Sequence, residues 1–263
     1  MTTLLGVEIR RCFHRRLVRW LIAIAVLGCL LTAFLVRRAD NADGLTDQFR
    51  LVELWVPGGD SLLGVAAIFL IIGAVVGGAS MIGAEWRAGT FTTLLTWEPN
   101  RVRVGVAKLV ACGLVAFAVA VVLQALWCAA FLPAALGPGT TDGVDAAWLR
   151  SLGGAMLRIG ALVGFTATFM ASIALIGRNT AASLGVAFGY VMVFENIVHA
   201  WKPWATRFLL GPNGAVFTTG AKLDTEEFTR STATAGLTLL GYVLAISVLA
   251  IAMFRRRDLA STG

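Results

Sequence analysis

Six stretches of this chain carry apolar residues almost without interruption, and the polar and charged residues gather between them. They run over 17–36, 62–83, 104–132, 152–176, 181–199 and 235–254. A helix rises about 1.5 Å per residue, so runs of roughly twenty residues match a hydrocarbon layer about 30 Å thick. A soluble amphipathic helix would alternate apolar and polar positions with a period of about 3.6. The pattern therefore predicts an all-α integral membrane protein, a single domain over 1–263 with six transmembrane helices. The basic residues before the first run could suggest a cleaved leader. That run is long, however, and ends in Val36-Arg37-Arg38 without a small-residue cleavage site, so it reads as a retained span.

Composition strengthens the membrane reading. Hydrophobic residues make up 58% of the chain and charged ones only 14%, against about 25% charged in soluble domains. The net charge of +7 lies beside the apolar runs, which points to a membrane surface rather than nucleic acid. Lysine and arginine bias sets orientation. With the N-terminus inside, the inner segments hold 13 of the 22 basic residues but only four of the 15 acids, so both termini are expected in the cytoplasm. Cys12, Cys29, Cys112 and Cys128 show no C-x-x-C spacing, so neither a metal site nor a disulfide is predicted. The glycine and alanine richness suggests a bacterium, hence the bacterial cytoplasmic membrane.

The connections differ in character. Segment 37–61 is an acidic outer loop, and 133–151 reverses at Gly137-Pro138-Gly139. Segment 200–234 opens with Trp201, Pro203, Trp204, Phe208, Leu209 and Leu210, then breaks at Gly211-Pro212-Asn213-Gly214. It is too apolar for a free loop and too short to span. It reads as an interfacial or re-entrant external element, or as a loop anchored by its aromatics. At the N-terminus, Leu5, Ile9, Phe13 and Leu17 recur at helical spacing among Arg10, Arg11, Arg15 and Arg16. This predicts a basic amphipathic helix over 4–20 on the inner leaflet, or else a charge cluster that only sets topology. Between spans two and three, residues 85–97 form a short amphipathic helix with Trp86, Thr90, Leu94 and Trp97 on one face. Pro99 ends it by disfavouring helical geometry at Glu98.

Deeper inside the spans two ionisable residues stand out, Arg158 and Glu195. The antiparallel arrangement puts them at similar depth, and an unpaired charge there is costly. An ion pair near the outer gate, or one that only fixes helix packing, is expected. Glycines four apart at Gly73/Gly77, Gly160/Gly164 and Gly185/Gly189 allow close helix approach, within the subunit or at a dimer seam. His199 reads as an interfacial anchor. No phosphate-loop motif, H-E-x-x-H pair or G-x-S-x-G turn is present, so the chain is not expected to be an enzyme by itself.

The order Glu85, Gly89-Thr90, Leu94-Leu95, Pro99, Arg101, Lys108 resembles the pattern between spans two and three in permease subunits of ABC-2-type (type V) ABC exporters. The basic N-terminal helix, the six spans and the apolar element between spans five and six agree with it. Trp97-Glu98 before the proline departs from it, since small or hydroxyl residues are commoner there. The resemblance implies that residues 85–97 are a coupling helix docking on a separate ATPase subunit. Gly89, Thr90 and Pro99 would shape it. Phe91, Leu94 and Leu95 would fill an apolar groove, and Glu85, Arg87 and Arg101 would supply rim charges. Arg10, Arg11, Phe13, Arg15 and Arg16 would lie on a connecting helix that approaches the same ATPase. A second permease subunit, identical or related, would complete the path. ATP and Mg would bind the partner, leaving no cofactor on this chain. An amphipathic drug, lipid or peptide would be exported. Two rivals stay open: a secondary transporter driven by an ion gradient, and a non-transporting immunity or scaffold protein of the membrane.

Overall fold

A computed structural model describes residues 2–43, 62–136, 144–220, 222–224 and 229–256. Its elements are α1 (Thr2–His14), α2 (Arg16–Asp43), α3 (Leu62–Arg87), α4 (Thr90–Trp97), α5 (Arg101–Leu136), α6 (Ala146–Gly177) and α7 (Thr180–Gly189). A π-helical turn at Tyr190–Phe194 continues α7 into α8 (Glu195–Trp201). A 3-10 turn (Pro203–Phe208), α9 (Leu210–Thr219), a two-residue antiparallel hairpin of β1 (Leu223–Asp224) with β2 (Thr229–Arg230), and α10 (Thr232–Arg256) complete the chain. Most of the acidic loop after span one, and the Gly137-Pro138-Gly139 reversal, lie outside the described residues.

Among the described residues, six helices are long and apolar enough to cross a membrane: Arg16–Leu35, Leu63–Arg87, Arg101–Leu132, Ala146–Gly177, Thr180–Trp201 and Thr232–Arg256. This is a multi-pass all-α membrane protein. The fourth span begins at Ala146, before the expected 152, because the Asp145 carboxylate accepts the Trp148 amide at 2.6 Å and caps the helix early. It is the central span, with 61% of its apolar window buried against 6% for the first and fifth. Helix α6 lies between α3, α5 and α10.

Small residues let those helices meet. A Cβ on Gly160 or Gly164 would run into Phe117, Val121 or the Gly113 backbone of α5, so this glycine pair forms a seam within the subunit. Gly73, Gly185 and Gly189 have nothing within 4 Å. Backbone also comes close at Gly78, where an added Cβ would strike the Ala167 carbonyl of α6. Buried polar groups bridge the same helices. Gln124 Nε2 donates to the Met156 carbonyl at 3.3 Å, and the Ser172 and Ser247 hydroxyls lie 3.0 Å apart.

The connection between spans five and six differs from the expected break. Gly211-Pro212-Asn213-Gly214 lies inside helix α9. Pro212 is its third residue, in the first turn, where amide protons have no helical acceptor and a proline costs little. Asn213 is buried and secures the turn. Its Nδ2 donates to the carbonyls of Arg207 (2.8 Å) and Leu209 (2.6 Å), and its Oδ1 accepts from Arg230 Nε (2.9 Å). Arg230 also donates to Thr238 of α10.

Gly78→Ala is expected to lower stability by about 1–3 kcal/mol, because the α6 backbone must shift. Gly73→Ala, made in open space, should leave it unchanged. Thermal unfolding of both variants in the same detergent tests the contrast.

Candidate functional site

Helix α1 folds back against the bundle on the face defined by Leu5, Glu8, Ile9 and Cys12. Their apolar members meet Met81 of α3 and Ala111, Val115 and Val119 of α5. The expected face continued through Phe13 and Leu17. Phe13 is 41% exposed at the end of α1, where Cys12 takes the buried position, and Leu17 is 39% exposed beyond the break at Arg15.

The break serves a set of charges. Glu8 is 2% exposed and Lys108 of α5 is 4% exposed. Lys108 Nζ lies 2.9 Å from Glu8 Oε2 and 2.7 Å from Glu85 Oε2 at the end of α3. Glu85 Oε1 meets Arg15 Nη2 at 2.5 Å, and Glu8 Oε1 meets Arg11 Nη1 at 3.2 Å. Arg15 Nη1 also donates to the Ser80 carbonyl at 3.1 Å. The result is an alternating row, Arg11, Glu8, Lys108, Glu85, Arg15, that joins α1, α3 and α5. Buried ions persist only when paired this way. Glu85 was expected to be a rim charge for a partner. It is instead an internal ligand of Lys108 and Arg15. Cys12 sits beside this row, and burial pushes its thiol up to about 11.

Trp86, next to Glu85, ties the same turn to the other side of the bundle. Its ring meets Phe254 of α10 edge-on at 6.1 Å, and the Arg178 guanidinium lies 4.6 Å above it. Arg178 ends α6 in the left-handed region, at φ 52°. Trp86 therefore belongs to the last turn of α3 and points inward. It does not share a face with Trp97, which is 86% exposed.

The change of direction occurs at Gly89, at φ 66°, a conformation that glycine adopts without strain. Helix α4 then runs to Trp97, and Glu98 turns extended before Pro99. Thr90 Oγ1 donates back to the Glu85 carbonyl at 3.3 Å. Leu94 and Leu95 are both half-buried, and Leu95 packs against the edge of the core. The Phe91 side chain lies outside the described residues. Glu98 pairs with Arg103 at 3.3 Å, and the Asn100 side chain accepts the Arg103 amide at 3.1 Å, which starts α5. Arg10, Arg11, Arg16 and Arg87 are exposed around this end, and Arg101 is half-buried.

At the far end, Arg158 and Glu195 form no ion pair. Helix α9 lies between them. Glu195 Oε1 accepts the Gly211 amide at 2.8 Å in the first turn of α9. The Arg158 guanidinium lies against Gly220, the residue that ends α9 at φ 69°. Each charge thus faces the end of the α9 dipole that it complements. The neighbouring Leu210 amide donates to Tyr190 Oη at 3.1 Å, and Tyr242 Oη donates to the Phe208 carbonyl at 3.0 Å. Beside these groups opens an apolar cleft of about 1080 Å³ between α3, α6, the fifth span, α9 and α10.

Glu8 was missed from the sequence, although its spacing with Leu5, Ile9 and Cys12 marks it as an acid on a buried face. The Trp86–Arg178 contact left no sequence signal. No group of His, Cys, Asp or Glu suited to a metal ion occurs among the described residues.

A family model described as an ABC-2 family transporter protein matches residues 4–194, which takes in Glu8, Glu85, all of α4 and Lys108. No curated protein matches the chain.

Lys108→Met should destabilise the protein by about 3–5 kcal/mol by leaving two acids without their shared cation. Adding Glu8→Gln should recover part of the loss, as a double-mutant cycle of thermal unfolding would show. Cys12, with its thiol near 11, has a thiolate fraction of about one in a thousand at pH 8. N-ethylmaleimide should spare it in the folded protein and modify it after unfolding, as read by peptide mass spectrometry.

Proposed function

The chain belongs to the ABC-2 family of transporter proteins, and from that premise we propose that this ABC transporter permease works as half of an exporter dimer, driven by ATP hydrolysed on separate subunits docked at α4. The observation that carries the reading is the anchoring of the α3–α4 turn. Glu85 ties it to α1 and α5, and Trp86 ties it to α6 and α10. A push on α4 cannot be absorbed locally and must move the ends of those helices together. Gly89 lets α4 leave α3 at a sharp angle, and the short rigid helix offers Leu94 and Trp97 to an apolar groove, as amphipathic helices do in other complexes. Arg87 provides charge at the edge of that surface.

In this reading both termini face the cytoplasm of a bacterium. Arg10, Arg11 and Arg16 of the α1–α2 region, with Phe13 beside them, rest on anionic headgroups. ATP and Mg belong to the partner, and the cargo is amphipathic. Helix α9 is a re-entrant element at the outer side. An ion-gradient mechanism has less to work with, because Glu195 in the fifth span is already engaged by the Gly211 amide.

The test is reconstitution with the cognate ATPase. Leu94→Asp should lower substrate-stimulated ATP hydrolysis about tenfold or more and should weaken co-purification, with membrane insertion unchanged. Stimulation equal to wild type would remove α4 from the coupling role.

A further inference from the structure

We infer that a second cavity, between α2, α3 and α5, binds a neutral amphiphile by a single hydroxyl group held between Gln124 and Trp127. The site goes beyond the exporter reading and does not depend on it.

The cavity measures about 450 Å³, within the roughly 300–1,000 Å³ of sites for drug-sized ligands. Well-packed interiors leave few voids larger than a water molecule. Missing side chains make part of this space. Gly28 of α2 and Gly73 of α3 line it, and a Cβ added to either meets nothing within 4 Å. Ile24, Phe69 and Ile72 also line it and are more than half exposed. The cavity therefore opens on a surface that faces lipid, and its occupant enters from the bilayer.

No charged side chain lines the cavity, and most of its wall is aliphatic or aromatic. An ion there would stay unpaired at heavy cost, so the occupant is neutral and its body is apolar. Its polar part is selected by what the wall leaves unsatisfied. Gln124 of α5 lines the cavity and is 0% exposed. Its Nε2 donates to the carbonyls of Ala120 at 3.1 Å and Met156 at 3.3 Å. Both partners are acceptors, which fixes the amide with its nitrogen towards them and its oxygen away. Gln124 Oε1 has no hydrogen-bond partner, and neither has the buried indole Nε1 of Trp127, also in the wall. Residues at i and i+3 are neighbours on a helix surface, so the two groups share one face of α5. The other polar groups are already used. The Thr32 hydroxyl donates to the Gly28 and Cys29 carbonyls at 2.8 and 3.0 Å, and the Cys112 thiol to the Ala167 carbonyl at 3.7 Å.

What remains is one acceptor and one donor, side by side. Gln124 stands about 12 Å along the helix from Leu132, where the third span ends. At that depth a buried polar group without a partner is costly. A hydroxyl meets both needs with one oxygen. Its O–H donates to Gln124 Oε1, and its lone pair accepts from Trp127 Nε1. An ether serves only the indole, and a hydrocarbon serves neither. Water makes the same two bonds but leaves the apolar wall uncovered, whereas an alkyl chain fills it.

The test uses the full chain, without any ATPase, in nanodiscs of phosphatidylcholine, a lipid with no hydroxyl. The probe is a twelve-carbon alcohol carrying a diazirine, read by peptide mass spectrometry after photolysis. Saturable labelling of α2, α3 and α5 is expected. Dodecanol should displace the probe about tenfold better than dodecyl methyl ether, which cannot donate. Gln124→Met should erase that preference. Trp127→Phe, which keeps a ring to stack on Phe131, should weaken alcohol and ether together and leave the preference in place. Gly73→Leu fills the cavity without touching either polar group and should abolish saturable labelling. Thermal unfolding of every variant controls for folding. Equal displacement by alcohol and ether, the result if water alone meets the polar pair, would overturn the assignment. So would wild-type labelling in Gly73→Leu. The hydroxyl can come from a diacylglycerol of the membrane or from a free single-chain alcohol. Adding dioleoylglycerol to the nanodiscs separates them: displacement of the probe assigns the site to the lipid, and unchanged labelling assigns it to the free alcohol.

Discussion

Lys108 carries its charge almost wholly buried, between one carboxylate from α1 and another from the end of α3. An ammonium removed from water is stable only with such partners, and meeting that need shapes one end of the molecule. Helix α1 must turn back from α2 so that Glu8 reaches α5. The last turn of α3 must hold Glu85 at the same point, and Arg15, at the break between α1 and α2, completes the row. Helix α4 begins a few residues after Glu85, so it hangs from a turn whose position is already set by three other helices.

The other end meets the same constraint differently. Arg158 and Glu195 are separated by α9, so neither neutralises the other. Each is compensated by a helix terminus instead. This arrangement needs α9 to be a helix of the right length and direction, which Asn213, Arg230 and the capping Gly220 secure.

The two ends are physically continuous. Arg178 covers Trp86 beside α4, and α7 begins two residues later and leads into the π-helical turn, whose Tyr190 and Phe194 line the cleft. The fifth span is little buried within the chain. The central fourth span, seamed by Gly160, Gly164 and the Gly78 contact, is the frame against which it would move.

Crossing a membrane is a local property. Each span must satisfy its own backbone and present apolar side chains to lipid, so the six spans and their approximate limits were legible in the sequence. The stop at Pro99 was legible for the same reason, because proline restricts the residue directly before it. The motif from Glu85 to Lys108 also led to the short helix that ends before Pro99. What it could not give was the direction of its side chains. Glu85 and Trp86 turned inward, and the Gly-Pro-Asn-Gly segment became a helical first turn. Partner choice is not local. Glu8 and Lys108 are a hundred positions apart, and whether Arg158 meets Glu195 or a helix end depends on what lies between them. Only the packing of distant elements decides which charges come within a few ångströms, and here that packing decided how the inner turn is held and which chemistry faces the cleft.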